Sequence, residues 1–298
     1  MQIEISKEFI EQIREAIQKS YNAFLKETFE DFYPTDSAEI MYELDTEECI
    51  YIINLLDDDI AAEIISYIDT DTRKGFLKNF DSKHIASYLK FIDSDDAVDI
   101  VNELSIKERE EVIAHLEQVN PETAAYILEL LRYEDDVAGG LMAKELIKAN
   151  INWNVKQCID EIRRQAENVE RFYSVYVVDD EEKLLGKVSV KKLLLSKDTV
   201  LVNDIYDNDI IAVESYRDSS EVADIMQKYD LEAIPVVNVQ GKLLGRITID
   251  DVVDVIKEMA EKDIQAMTGI SESIEEDDNI WLLSRARLPW LIIGMVGG

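Results

Sequence analysis

At 298 residues the chain has room for two or three domains, and with 47% hydrophobic residues it can bury real cores. Its net charge of −33 excludes the basic face that a nucleic-acid binder needs, and favours metal ions or a basic partner that relieve self-repulsion. Two cysteines (Cys49, Cys158) far apart with no CxxC, and two histidines (His84, His115) 31 residues apart, exclude a disulfide framework and argue against zinc, so the thiols read as reduced cytosolic cysteines.

The N-terminus, MQIEISKEFIEQIREAI, has no basic segment followed by a continuous apolar run and is not a signal peptide. Phe9, Ile10, Ile13, Ile17, Tyr21 and Phe24 fall at helical spacing and predict one amphipathic helix.

From Tyr33 to Leu116 the chain repeats every twelve residues. Each unit ends apolar (Leu44, Leu56, Ile68, Phe80, Ile92, Leu104, Leu116) and carries another apolar or aromatic residue four positions earlier (Ile40, Ile52, Ile64, Phe76, Tyr88, Ile100, Val112). A capping residue follows each of the first six ends: Asp45, Asp57, Asp69, Asp81, Asp93 and Ser105. Asp and Ser accept hydrogen bonds from the free N–H groups of a helix start, and Asp45 with Glu48 and Ser105 with Glu108 have capping-box spacing. Each unit predicts one short helix, unstable alone but able to stack into a superhelix. Most of these aspartates are therefore caps, which leaves a metal role to acids such as Glu63 and Asp99.

Beyond Tyr133 the apolar runs become short and rich in Val and Ile. VYVV at 175–178, LLGKVSV at 184–190, IPVV at 234–237 and LLGRITI at 243–249 predict strands, each pair followed by a helix. The two copies align at an offset of 59, so that Lys183-Leu-Leu-Gly186 matches Lys242-Leu-Leu-Gly245. Gly241 supplies the turn in the second copy where the first has the acidic tip DDEE, and a helix precedes each copy near 154–168 and 218–229. The helix of the first copy opens on Lys191 and Lys192, that of the second on Asp250 and Asp251.

This repeat, with its G-x-(V/I)-(S/T) strand end and its IPVV strand, resembles the cystathionine-β-synthase (CBS) domain, which pairs in tandem, over about 137–262. Many such pairs bind adenine nucleotides, a Ser or Thr and an Asp three residues on meeting ribose and phosphate. The resemblance puts that role on Thr248 and Asp251; the first copy keeps Ser189 but has Lys192 at the acid's place, where Lys191 and Lys192 could attract phosphates. The alternative is a module that only dimerises.

The order of acidic helical repeats, CBS pair and an apolar end led by arginine, with the junction Tyr133-EDDVAGGLM-Met142, resembles the cytosolic part of the MgtE-type magnesium channels. IWLLSRARLPWLIIG resembles that family's connecting helix entering its first membrane helix. LPWLIIGMVGG, Leu288 to Gly298, is too short to span a bilayer, which takes about 20 residues, and Arg285 and Arg287 would keep the preceding chain cytoplasmic; the alternative is the end of a core element. The resemblance implies an α+β multidomain chain: an all-α superhelix of short helices over 1–132, CBS domains over 133–200 and 201–262, and a connecting helix with the start of a membrane helix over 263–298. It implies a homodimer through the CBS domains, a pore-forming membrane region beyond Gly298, a place on the cytoplasmic face of the cell membrane, and magnesium sensing and gating rather than catalysis.

The residues point to cations independently. Magnesium prefers carboxylates and keeps several waters. Asp251, Asp254, Glu258 and Glu261 share one helix face, where like charges destabilise a helix unless a cation or partner offsets them, and Asp250 and Asp263 adjoin it. The resemblance places metal sites on Glu63, Asp95, Asp99, Asp218, Asp230, Asp251, Asp254 and Asp263. It departs at Met259 and Lys262, where acids are expected and where Glu258 and Glu261 would substitute. For any single acid the alternative is a solvated surface charge. One ion at ten times its dissociation constant stabilises the bound state by about 1.4 kcal/mol. Driving an equilibrium from 1:99 to 99:1 takes about 5.5 kcal/mol, so roughly four weak, coupled ions are needed. The rival readings are an adenine-nucleotide sensor with incidental magnesium, and a peptide-binding helical scaffold. No nucleophile–base pair suggests an enzyme.

Overall fold

The computed structural model describes residues 5–165 and 174–268, except the side chains of residues 254, 258 and 261–268. Among the described residues ten helices come first. The predicted N-terminal helix is two: α1 (Lys7–Gln18) and α2 (Asn22–Asp31). The break falls at Ser20, whose φ of 53° is left-handed, so α2 folds back on α1 and leaves Tyr21 and Phe24 exposed.

The twelve-residue period is the helix period. Helices α3 (Pro34–Glu43), α4 (Thr46–Ile53), α5 (Asp58–Tyr67), α6 (Thr70–Leu77), α7 (Ser82–Leu89), α8 (Ser94–Glu103) and α9 (Ile106–Val119) each start twelve residues after the last. The seven residues four before each unit's end, Ile40 through Val112, are all buried. Alternate helices stack, α3 on α5, α5 on α7 and α7 on α9, so the superhelix advances two helices at a time. α10 (Pro121–Leu130) closes it against α8 and α9.

The caps divide. Asp45 and Ser105 form complete capping boxes, and Asp69 and Asp81 accept from two backbone N–H groups each. Asp57 and Asp93 occupy the cap position without a side-chain cap bond, contrary to expectation, because cations draw their carboxylates away. Asp57 meets Lys26 Nζ at 2.9 Å, and Asp93 faces Arg246 Nη2 at 3.6 Å.

Each later copy is β-α-β-β-α rather than β-β-α. The first contains β1 (Lys148–Asn150), α11 (Val155–Gln165), β2 (Val175–Val178), β3 (Leu184–Val188) and α12 (Val190–Leu195). The second contains β4 (Val213–Glu214), α13 (Ser219–Tyr229), β5 (Ala233–Val237), β6 (Leu243–Thr248) and α14 (Ile249–Thr268). In both, the leading strand pairs parallel to the middle one, which pairs antiparallel to the last. The leading strands, three and two residues long, are too short for an alternating pattern to declare them.

The copies meet at their repeated tips. Lys183 bridges Lys242, Leu184 N–H donates to the Gly241 carbonyl at 2.9 Å, and Leu243 N–H donates to the Glu182 carbonyl at 3.0 Å. The repeated glycines admit crossing chain. Ala143 exchanges backbone hydrogen bonds with Arg246 on β6, and Asp207 does the same with Lys187 on β3, so each copy's lead-in segment lies on the other copy's sheet. A Cβ on Gly245 would stand 2.5 Å from the Ala143 carbonyl oxygen, and one on Gly186 2.1 Å from that of Asp207. Gly245→Ala is therefore expected to cost about 1–3 kcal/mol by overpacking, read as an earlier urea midpoint.

One apolar core runs from the superhelix through Ala138 and Met142 into the second copy, while the first copy has a core of its own. The junction Tyr133–Met142 is the splice. Ala138 and Gly139 donate to the carbonyls of Arg217 and Ser215, both at 2.7 Å, so it is bound to the second copy although the first follows it in sequence.

Candidate functional site

Helix α8 presents Asp95, Asp96 and Asp99 towards the N-terminus of α14. Between them opens a cleft with Glu63, Asp95 and Asp96 on the superhelix wall and Arg246, Asp250 and Asp251 on the wall of the second copy. Burial, and then the charge of Asp251, push the Asp95 carboxyl well above the usual carboxylate range. The same two causes raise Asp96 to about 7. Burial raises Asp99 to about 6 against the pull of Arg73. Asp251 rises to about 6 through burial, even though Thr248 favours its charged form with hydrogen bonds at 3.0 and 2.8 Å. Asp96 and Asp99 keep solvent-exposed surface, so their desolvation comes from the protein mass around the cleft rather than from enclosure.

These carboxylates stand in each other's field with too little positive charge to offset them. The donor set, all oxygen, suits a hard divalent cation that keeps its waters. Among the described residues no three His, Cys, Asp or Glu side chains are grouped so as to hold an ion directly.

The raised values set a pH dependence. A carboxyl whose value rises on docking contributes stability below its ordinary range and loses it as pH rises through the raised value. In a chelator, acidifying from about pH 8 to about pH 5.5 is therefore expected to tighten the contact between α8 and α14, the gain setting in as pH falls through about 7 and then about 6, where Asp96 and then Asp99 and Asp251 take up protons. Proteolysis of the junction Tyr133–Met142, slower at the lower pH, reads this out.

The other expected site residues fall elsewhere. Asp218 and Asp230 sit at opposite ends of α13 and do not line the cleft. Asp218 caps the helix, its carboxyl held low by the Ser220 hydroxyl, and Asp230 ends it at a left-handed φ of 52°. The side chains of Asp254, Glu258, Glu261 and Asp263 lie outside the described residues, although α14 carries all four on its backbone. The apolar end at 288–298 also lies outside them; among the described residues no helix is long and apolar enough to cross a membrane. Ser189 is engaged as the cap of α12, accepting from Lys192 N–H at 3.2 Å, and Lys191 is exposed.

Three participants escaped the sequence reading. Asp96 adjoins Asp95 but offers no separate signal. Arg246 reads as a strand residue. Glu145 has no local pattern at all.

The chain resembles known proteins along almost its whole length. The model of the MgtE intracellular N domain matches residues 32–136, and that of the CBS domain matches 137–197 and 202–258. The magnesium transporter MgtE of Thermus thermophilus is 33% identical over 292 residues, covering 96% of this chain and 64% of that protein. The crystal structure of the soluble part of a magnesium transporter superposes with a TM-score of 0.77 at 29% identity, covering 85% of this chain and 99% of that one. The cytosolic domain of the Mg2+ channel MgtE in complex with ATP superposes with a TM-score of 0.73 at 30% identity, covering 83% and 99%. Against the curated MgtE transporters that it matches, the chain spans between 38% and 64% of their length.

Proposed function

Since the chain belongs to the MgtE family, as its N domain followed by a CBS pair, we propose that it is the magnesium-sensing and gating region of a magnesium channel or transporter. The observation that carries this reading is the face-to-face set of acids, Asp95, Asp96 and Asp99 against Asp251, whose carboxyls resist ionisation together. Magnesium between the two walls offsets their repulsion and favours the docked arrangement. Without it the walls repel and the superhelix swings away from the CBS pair. Glu63 adds to one wall, and Asp254, Glu258, Glu261 and Asp263, carried further along α14, are cation positions in the same proposal. Asp218 and Asp230 are further cation positions in the same proposal, at the ends of α13. With several weak ions acting together, the roughly 5.5 kcal/mol of a full switch is within reach. The pore lies in a membrane region following this one, and this region works at the cytoplasmic face.

A homodimer through the CBS pair fits an unpartnered apolar face. Leu194 on α12 and Val253 on α14 hold equivalent places in the two copies, and both are exposed, together with Leu195 and Ile256. Exposed apolar residues at equivalent places in the two copies suit an isologous contact with a second copy.

A second reading, adenine-nucleotide sensing, is favoured by the relative that binds ATP and by Thr248 with Asp251 at the start of α14. Calorimetry separates the two. Heat on adding MgCl2 in the absence of nucleotide supports magnesium sensing; heat with ATP alone, and none with MgCl2, overturns it.

A further inference from the structure

The helix carrying the acids is capped from outside its own domain. Asp93 holds the cap position of α8 but makes no cap bond, its carboxylate standing near Arg246 instead. The missing acceptor is Glu145, in the segment leading into the first CBS copy. Its Oε2 accepts from Ser94 N–H at 3.1 Å and from the Ser94 hydroxyl at 2.8 Å. Ser94 is fully buried, and its Oγ accepts in turn from Lys144 N–H at 2.8 Å. The Lys144 ammonium, nearly buried, reaches Glu129 Oε1 on α10 at 2.8 Å. One residue earlier, Ala143 is paired to Arg246 on β6. Three consecutive residues thus tie β6, α10 and the first turn of α8 into one register.

We propose that Glu145 is a positioning residue, an interdomain latch that sets how much of the population holds α8 opposite Asp251 and thereby sets the apparent affinity of the acidic cleft for divalent cations. This rests on the magnesium-sensing reading and deepens it. A carboxylate accepting from a helix-terminal N–H and a hydroxyl makes charge-assisted bonds, and it also favours the positive end of the α8 dipole. In the docked state those bonds oppose the repulsion between the two acidic walls. In the separated state water replaces them. The latch therefore raises the fraction of molecules ready to bind cations, and apparent affinity scales with that fraction.

The test is titration of the 298-residue chain with MgCl2, followed by small-angle scattering and by protease protection of the junction. Glu145→Ala is expected to weaken the docking equilibrium about tenfold, equivalent to about 1.4 kcal/mol, which with roughly four ions acting together moves the midpoint of magnesium-dependent compaction to about twofold higher concentration. Glu145→Gln, which keeps a neutral acceptor, is expected to fall between that variant and the wild type. Ser94→Ala, which loses the hydroxyl bond but keeps the backbone N–H bond to Glu145, should shift the midpoint in the same direction by less, and in the double variant the two shifts should not add, because both act on one network. A purely structural role would lower thermal stability and leave the midpoint in place. A midpoint in folded Glu145→Ala unchanged from the wild type overturns the latch while the sensing reading stands. A wild-type chain whose shape ignores magnesium overturns the sensing reading itself, and the latch with it.

Discussion

Arg73→Ala is expected to lower the unfolding free energy of the superhelix by about 3–5 kcal/mol. The Arg73 guanidinium, on α6, holds Glu103 at the end of α8 at 2.7 Å, with both side chains almost wholly buried, and it donates to the Ser66 carbonyl at 2.9 Å. Removing it strands a carboxylate inside the protein without a counter-charge, which costs far more than the intact pair contributes. Urea unfolding of the variant measures the loss. Replacing the pair together, Arg73→Met with Glu103→Leu, should restore most of it, since no uncompensated charge remains. A loss under about 1 kcal/mol would mean that Glu103 finds water in the folded state. The pair also bears on the site, because Arg73 counters the upward push on Asp99 one turn away on α8.

The second large effect is a gain of order without metal. The double variant Asp95→Asn with Asp251→Asn keeps side-chain shape and removes one charge from each wall of the cleft. Like charges set against each other across an interface cost several kcal/mol. Relief of about 3 kcal/mol corresponds to on the order of a hundredfold shift of the docking equilibrium towards the compact state. The variant should therefore be compact in a chelator, and its protease sensitivity should respond little to magnesium. A variant that stays open in chelator and closes normally with magnesium would remove Asp95 and Asp251 from the account.

Where information is local, the sequence foretold the structure well. The twelve-residue spacing marked every start from Pro34 to Ile106, because a cap and a buried stripe recur within one short helix. The offset of 59 foretells one sheet built twice, and the two three-stranded sheets do share one strand order. What escaped was non-local. Ser20 breaks the first helix although the apolar spacing runs on past it, because periodicity does not register a left-handed backbone. Asp57 and Asp93 carry the cap chemistry that is visible locally, whereas Lys26 and Arg246 approach them from distant positions. The junction Tyr133–Met142 belongs in space to the second copy, because the lead-in segments cross between sheets. The resemblance names more candidate residues than the cleft gathers: Glu63, Asp95 and Asp251 line it, while Asp218 and Asp230 flank α13. Asp96 and Glu145 became visible only once α8 was seen against the segment that follows the junction.

The most direct measurement is small-angle scattering from the chain in chelator and then in millimolar magnesium. The acidic cleft predicts a smaller radius of gyration and a narrower distance distribution once magnesium is present, with a steep rather than shallow concentration dependence. Superimposable curves in the two conditions, from folded protein, would contradict the claim that divalent cations hold the walls of the cleft together.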